Sequence, residues 1–214
     1  VRLLLRFAIW ERHGGAATPT CRNIDNGLQG GQNDFIGMQF TTRPADIDAI
    51  IALVRFFMEK FPGEMLRGST SDFKSAYRQA SANPLHAMFW ILAIYNPECD
   101  RTCFAIAGAQ LFGCSAAPLN FCRIPNWCSI VVARLLLIAF ISCIDDMIFI
   151  ERDNFADVAY RVWRSFATAC GWLIPDDKSP PPDFVFRALG AFVHLVSHTY
   201  AESFVCLLYT SDAA

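Results

Sequence analysis

The chain carries adjacent acids, Asp145-Asp146, with an apolar run from Ala139 to Ile144 before them and another from Met147 to Ile150 after them. Ionised carboxylates are seldom buried without partners, and neighbouring ones repel each other. A tight hairpin with both acids exposed at its tip satisfies both constraints. Something positive is then needed at that tip, and a divalent metal ion held by oxygen ligands would serve. The alternative is an ordinary Asp-Asp turn between two buried strands, because Asp is a common turn residue. A third acid, Asp72, ends an apolar strand in the segment Ser71-Asp72-Phe73-Lys74-Ser75-Ala76-Tyr77-Arg78-Gln79. Taken alone it reads as a strand-end or turn-capping residue. If its strand pairs beside the Asp145-Asp146 hairpin, the carboxylates meet at one edge of a sheet. Such a cluster suits Mg²⁺, or Mn²⁺ in its place. Two ions about 3.5–4 Å apart would clamp an in-line phosphoryl transfer.

The elements that must position these acids are of both types, and their irregular order argues for an α+β fold. Pro44-Ala45-Asp46 is a helix start signal, and Ile47, Ile50, Ile51, Val54, Phe57 and Met58 follow at helical spacing until Pro62-Gly63. Strands are expected over Met65–Ser75, Met88–Ile94 and Cys103–Leu111. Phe112-Gly113 breaks the chain, and Ser115 is placed to cap a helix with Pro118 in its first turn. That helix carries Phe121, Trp127, Ile130, Val131 and Leu135, and Pro125 is expected to kink or shorten it. After the acidic hairpin, Asp153 or Asn154 caps a helix with Phe155, Val158, Ala159, Val162, Phe166 and Ala169 on one face and Gly171 at its end. A loop from Pro175 to Asp183 leads to a last strand over Phe184–Val193. Residues 1–20 mix apolar and basic side chains, and residues 21–45 read as irregular.

Composition bounds the function. With 214 residues, 54% of them hydrophobic, the chain can build one sizeable core. Its net charge of −2 supplies no global basic field, so nucleic-acid binding would have to come from local Arg clusters. Nine cysteines, with no CxxC pair, read as reduced, buried thiols of an intracellular protein. The apolar stretch from Ile130 to Cys143 is interrupted by Arg134 and is shorter than the roughly 20 residues of a membrane span. It reads as core helix followed by core strand, with no membrane partner. His194 and His198 would share a helix face, but Leu195 stands where an HExxH zinc motif requires Glu, so they read as packed or surface histidines. The chain begins at Val1 rather than Met, and the stretch from Cys206 to Ala214 resembles a translated sequencing-library adapter. The expectation is therefore a fragment whose final residues lie outside the fold.

The order of these segments resembles the palm of reverse transcriptases, and the retroelement branch most closely. Asp72 to Gln79 resembles the first catalytic motif, an Asp followed by Ala-Tyr. Phe112-Gly113 through Arg123 resembles the second. Cys143-Ile144-Asp145-Asp146 resembles the third, the aromatic-x-Asp-Asp hairpin. Gly171 to Ile174 with Lys178-Ser179 resembles the fourth, and Phe186 to Gly190 the primer-gripping hairpin. Upstream, Arg22 to Asn33 is similar to the fingers segment that holds the incoming triphosphate. The likeness spans residues 20–193. It implies a right-hand polymerase fold, with a partial fingers subdomain over 1–66 (1–20 the least defined) and a palm over 67–193. Residues 194–205 would start a truncated downstream region, ahead of the adapter-like tail at 206–214.

The resemblance implies roles by position. Asp72, Asp145 and Asp146 would hold two Mg²⁺ ions, and Lys178 would protonate the pyrophosphate leaving group. Arg22, Phe73, Tyr77, Gln79, Phe112 and Gly113 would form the substrate-binding set. Within it, Arg22 pairs with triphosphate oxygens. Tyr77 closes off the sugar's 2′ side and so selects dNTPs. Gln79 and the Phe112-Gly113 turn contact the template–nucleotide pair. Leu189 and Gly190 would contact the primer. The implied partners are dNTPs and a primed RNA or DNA template. Departures are Cys143 in place of the aromatic residue, Thr20 where a basic residue is common, and Pro125 in the second-motif helix. The resemblance also leads to the expectation that this fragment lacks a thumb and a ribonuclease H domain. The alternative function is a catalytically inactive descendant of a retroelement palm that binds nucleic acid or protein.

Overall fold

A computed structural model describes residues 3–11, 20–37, 43–196 and 204–207. In chain order the elements are β1 (Leu3–Glu11), β2 (Thr20–Asn26), α1 (Ile47–Lys60), β3 (Leu66–Asp72), α2 (Ala76–Gln79), β4 (Ile91–Asn96), β5 (Arg101–Ile106), α3 (Ala117–Leu135), β6 (Phe140–Cys143), β7 (Asp146–Arg152), α4 (Asp153–Ala169), β8 (Val185–Ala188), β9 (Ala191–His194) and β10 (Phe204–Leu207). Short 3₁₀ turns lie at Asn33–Phe35, Pro84–Phe89 and Asp176–Lys178. The expected α+β class is what forms. The chain divides into two compact units, one of residues 1–41 with 77–121, the other of residues 42–76 with 122–213.

The second unit is built around β7. This strand pairs antiparallel with β3 on one side and β6 on the other. Met147, Ile148, Phe149 and Ile150 are all fully buried, because both faces of the sheet are covered. Ile148 and Ile150 pack with Ile50, Val54 and Phe57 of α1 and with Phe186 and Val193 of the β8–β9 hairpin. On the other face Phe149 meets Phe140 at 5.4 Å, and Phe140 meets Trp163 of α4 at 4.8 Å. A strand buried on two sides shows a continuous apolar run instead of alternation, which is the run read from the sequence.

Local signals hold in α1. Asp46 is its N-cap, and the carboxylate accepts from the amides of Asp48 and Ala49 at 3.1 and 3.2 Å. The helix α4 differs from expectation. Arg152 occupies its N-cap position without a side-chain cap, and Asp153 is already helical. Its buried face is Ala156, Ala159, Trp163 and Ala167, while Phe155 and Val158 are exposed. The small residues let α4 lie close against the sheet, and Trp163 fills the gap. Gly171 closes this helix at φ +80°. The strand expected over Phe184–Val193 is a hairpin, turned by Leu189 and Gly190, which both have positive φ. β10 adds to its outer edge, so Cys206 and Leu207 pair with Phe192 and Ala191 rather than lying outside the sheet. His194 sits on strand β9 rather than on a helix, and His198 lies outside the described residues.

The first unit contains a mixed sheet of order β2-β1-β4-β5, in which β1 and β4 run parallel. Residues 20–26, expected to be irregular, form β2 because β1 offers an edge that pairs them over seven positions. The strands expected at 88–94 and 103–111 shift to Ile91–Asn96 and Arg101–Ile106. One face of the sheet buries Leu4 and Leu92 against Ala107 and Leu111. Helix α3 starts at Ala117, so Pro118 does lie in its first turn, while the Ser115 amide donates to Asn33 Oδ1 at 3.0 Å. Pro125 does not shorten this helix, which runs 19 residues to Leu135. Cys21, Cys99, Cys103, Cys114, Cys122, Cys128, Cys143 and Cys170 are free thiols, and of these only Cys122 and Cys128 are buried. Among the described residues no helix is long and apolar enough to cross a membrane.

Candidate active site

The antiparallel register of β3 and β7 sets Asp72, the last residue of one strand, opposite Asp146, the first residue of the other. On the far side Asp146 pairs with Cys143 of β6, and Ile144-Asp145 make the connecting turn. Ile144 has φ +54°. A β-branched residue in that region is strained, and such strain clusters at functional sites. The sequence therefore brings its acids together by strand pairing, with Asp145 at the hairpin tip and Asp146 at its base.

Electrostatics reflect that placement. Burial pushes the Asp146 carboxyl up to about 6; the charges of Asp145 and then Asp72 add to the rise, and Lys178 opposes it. Lys178 Nζ donates to Asp72 Oδ2, and Asp72 Oδ1 is buried with no hydrogen-bond partner. Burial also raises the Cys143 thiol, with help from Asp146 and Asp145.

The donor set is one of hard carboxylate oxygens with one orphaned lone-pair site, which is the chemistry Mg²⁺ or Mn²⁺ takes. As arranged, no group of three or more His, Cys, Asp or Glu among the described residues closes around a metal position. The positive charge now on Asp72 is the Lys178 ammonium.

Behind the acids lies a polar chain that sequence reading missed. Ser71 and Ser179, each next to a charged site residue, are both 1% exposed, and their hydroxyls meet at 2.7 Å. Trp163 Nε1 donates to Ser71 Oγ at 3.0 Å, and Tyr160 donates its hydroxyl to the Ser179 carbonyl at 2.6 Å. Arg164 donates to the Ile174 carbonyl at 2.9 Å and pairs with Asp176. The available signal was the spacing of Tyr160, Trp163 and Arg164 on one face of α4.

Phe73 is 1% exposed and meets Trp172 edge-on at 6.0 Å, so it supports the strand end from within the core and offers no open face to a substrate. Leu189 and Gly190 form the β8–β9 turn of the same unit. Tyr77, Gln79, Phe112 and Gly113 belong to the other unit. There the Tyr77 ring packs on Phe112 at 5.3 Å and on buried Phe121 at 5.5 Å. Gly113 has φ +103°, and a Cβ there would lie 1.8 Å from the Asp25 carbonyl oxygen. Its small size is thus required by the protein's own backbone. Asp25 is in turn held by Arg6 at 2.6 Å, and its amide donates to the Phe112 carbonyl at 3.1 Å. Arg22 lies on β2 opposite Ile9, with its side chain outside what is described.

No family model matches the sequence, and no curated protein matches it. Among solved structures, the chain is similar to a foamy viral protease-reverse transcriptase dRH, determined in complex with double-stranded DNA. The identity is 10% and the TM-score 0.63, and the match covers 90% of this chain but only 30% of that one. At such identity the likeness is one of fold alone: this chain shares its mixed α+β architecture with the matched part of that structure.

Proposed function

We propose that this chain is the fingers and palm portion of an RNA-directed DNA polymerase, adding nucleotides from dNTPs to a primer 3′-hydroxyl. The reading rests on one observation above the others: Asp72 and Asp146 oppose each other across paired strands, with Asp145 in the adjoining turn. The likeness in fold to a reverse transcriptase supports it from a separate direction.

Asp72, Asp145 and Asp146 would hold the divalent ions, which supply Lewis-acid activation of the attacking hydroxyl and charge neutralisation when bound. The chain's own residues do the rest by positioning and electrostatics. With its carboxyl at about 6, Asp146 is mostly ionised at neutral pH and available as a ligand. Asp72 Oδ1, which has no hydrogen-bond partner, would be the oxygen offered to an ion, and the Lys178 ammonium, now on Oδ2, would give a proton to the departing pyrophosphate. Tyr77, fixed by Phe112 and Phe121, presents a rigid ring. In the proposed enzyme that ring excludes a ribose 2′-hydroxyl.

The test is primer extension on a primed RNA template with Mg²⁺. Extension with dNTPs that falls to background in Asp72→Asn is expected. A preference for rNTPs overturns the role of Tyr77. The second reading, a binding module without catalysis, is favoured by the ammonium already seated on Asp72. Primer–template binding with no extension, unchanged in Asp72→Asn, selects it.

A further inference from the structure

Two buried serines flank the charged pair from behind. Ser71 precedes Asp72 on β3, and Ser179 follows Lys178 in the loop. Their hydroxyls share a hydrogen bond of 2.7 Å while the charged side chains meet in front. A buried hydroxyl pair holds its geometry because breaking it leaves both groups unsatisfied away from water. The third partner, Trp163, is fully buried and donates to Ser71 at 3.0 Å. The same helix face also grips the loop through Tyr160 and Arg164, at the Ser179 and Ile174 carbonyls. The loop that carries Lys178 is therefore tied to β3 and to α4 on either side of the lysine.

We infer that Ser71, Ser179 and Trp163 form a latch that holds Lys178 on Asp72, and that these are positioning residues for the lysine. The functional consequence rests on the polymerase reading. The latch sets how readily Lys178 leaves Asp72 and turns toward a leaving group. A hydroxyl pair of purely structural value would stabilise the fold without affecting where the ammonium spends its time.

The experiment is the rate at which an activated ester acylates Lys178, read by mass spectrometry on the full chain, with exposed Lys60 as internal reference. Only the neutral amine carries the lone pair that attacks the ester, and a lysine held on a carboxylate presents that amine less often than a solvated one. In Ser179→Ala the Lys178:Lys60 ratio is expected to rise about fivefold, the scale of an exposed ion pair. It should match the ratio in Asp72→Asn, where the acceptor charge is gone. Ser71→Ala should reach the same ratio from the β3 side, and it serves if Ser179→Ala does not fold. An unchanged ratio in a folded serine variant overturns the latch. Mn²⁺ binding isotherms on the same proteins separate the two ideas. Binding that is lost in Asp72→Asn supports the polymerase reading. Absence of binding in every protein removes that reading, while the acylation ratio still decides the latch.

Discussion

Asp72 and Asp146 face each other at the open end of the β3–β7 pair, and Lys178 closes on the first of them. Like charges placed this way repel, and the cost appears in Asp146, whose carboxyl rises to about 6 through burial first and then through Asp145 and Asp72.

That rise makes stability depend on pH. An unfolded Asp ionises near about 3.9, so between there and about 6 the folded chain holds a proton that the unfolded chain has released. The contribution of Asp146 is fully present below the lower value and is lost as pH rises through the upper one. Asp146→Asn is therefore expected to stabilise the protein at neutral pH, by about 2 kcal/mol because the carboxyl still partly faces water. Urea midpoints at about pH 4.5 and about pH 7.5 check this. A variant that is no more stable than the parent at the higher pH contradicts it. Saturating Mg²⁺ should flatten the dependence in the parent if the carboxylates take the ion.

Gly113→Ala is expected to disrupt the first unit. The new methyl would collide with the Asp25 carbonyl oxygen, and the backbone there sits at φ +103°. Backbone cannot yield as a flexible side chain does, so the loss should exceed the roughly 1 kcal/mol of an ordinary left-handed Ala penalty. Hydrogen exchange should accelerate at the amide of Asp25, which donates to the Phe112 carbonyl, and at that of Ser115, which donates to Asn33 Oδ1. Protection equal to the parent would show that the turn can relax.

The thiols should divide by environment. Burial, and then the neighbouring Cys170 thiol, push Cys128 up to about 12. Since the thiolate is the reactive form, Cys128 should resist alkylation at about pH 8 while exposed Cys21, Cys99 and Cys170 react. Mass mapping after a short exposure to iodoacetamide reads this directly. Early labelling of Cys128 would mean that α3 opens readily.

What the sequence determined by itself is short-range. The Asp46 cap, the apolar run of β7, the stop at Gly171 and the acidic hairpin each depend on a few neighbouring residues, and each is found where the residues put it. Tertiary structure decided what depends on distant partners. Residues 20–26 carry no strong strand pattern, yet they pair because β1 supplies an edge. The inward face of α4 is its alanines and Trp163 rather than its larger apolar residues, because closeness to the sheet outweighs the size of any one side chain. Phe73, beside the acid, turns into the core. The serine pair behind Asp72 and Lys178 joins positions 108 residues apart, a contact that no local pattern encodes. Side-chain periodicity is local chemistry, whereas register and burial are settled only when separate segments compete for the same core.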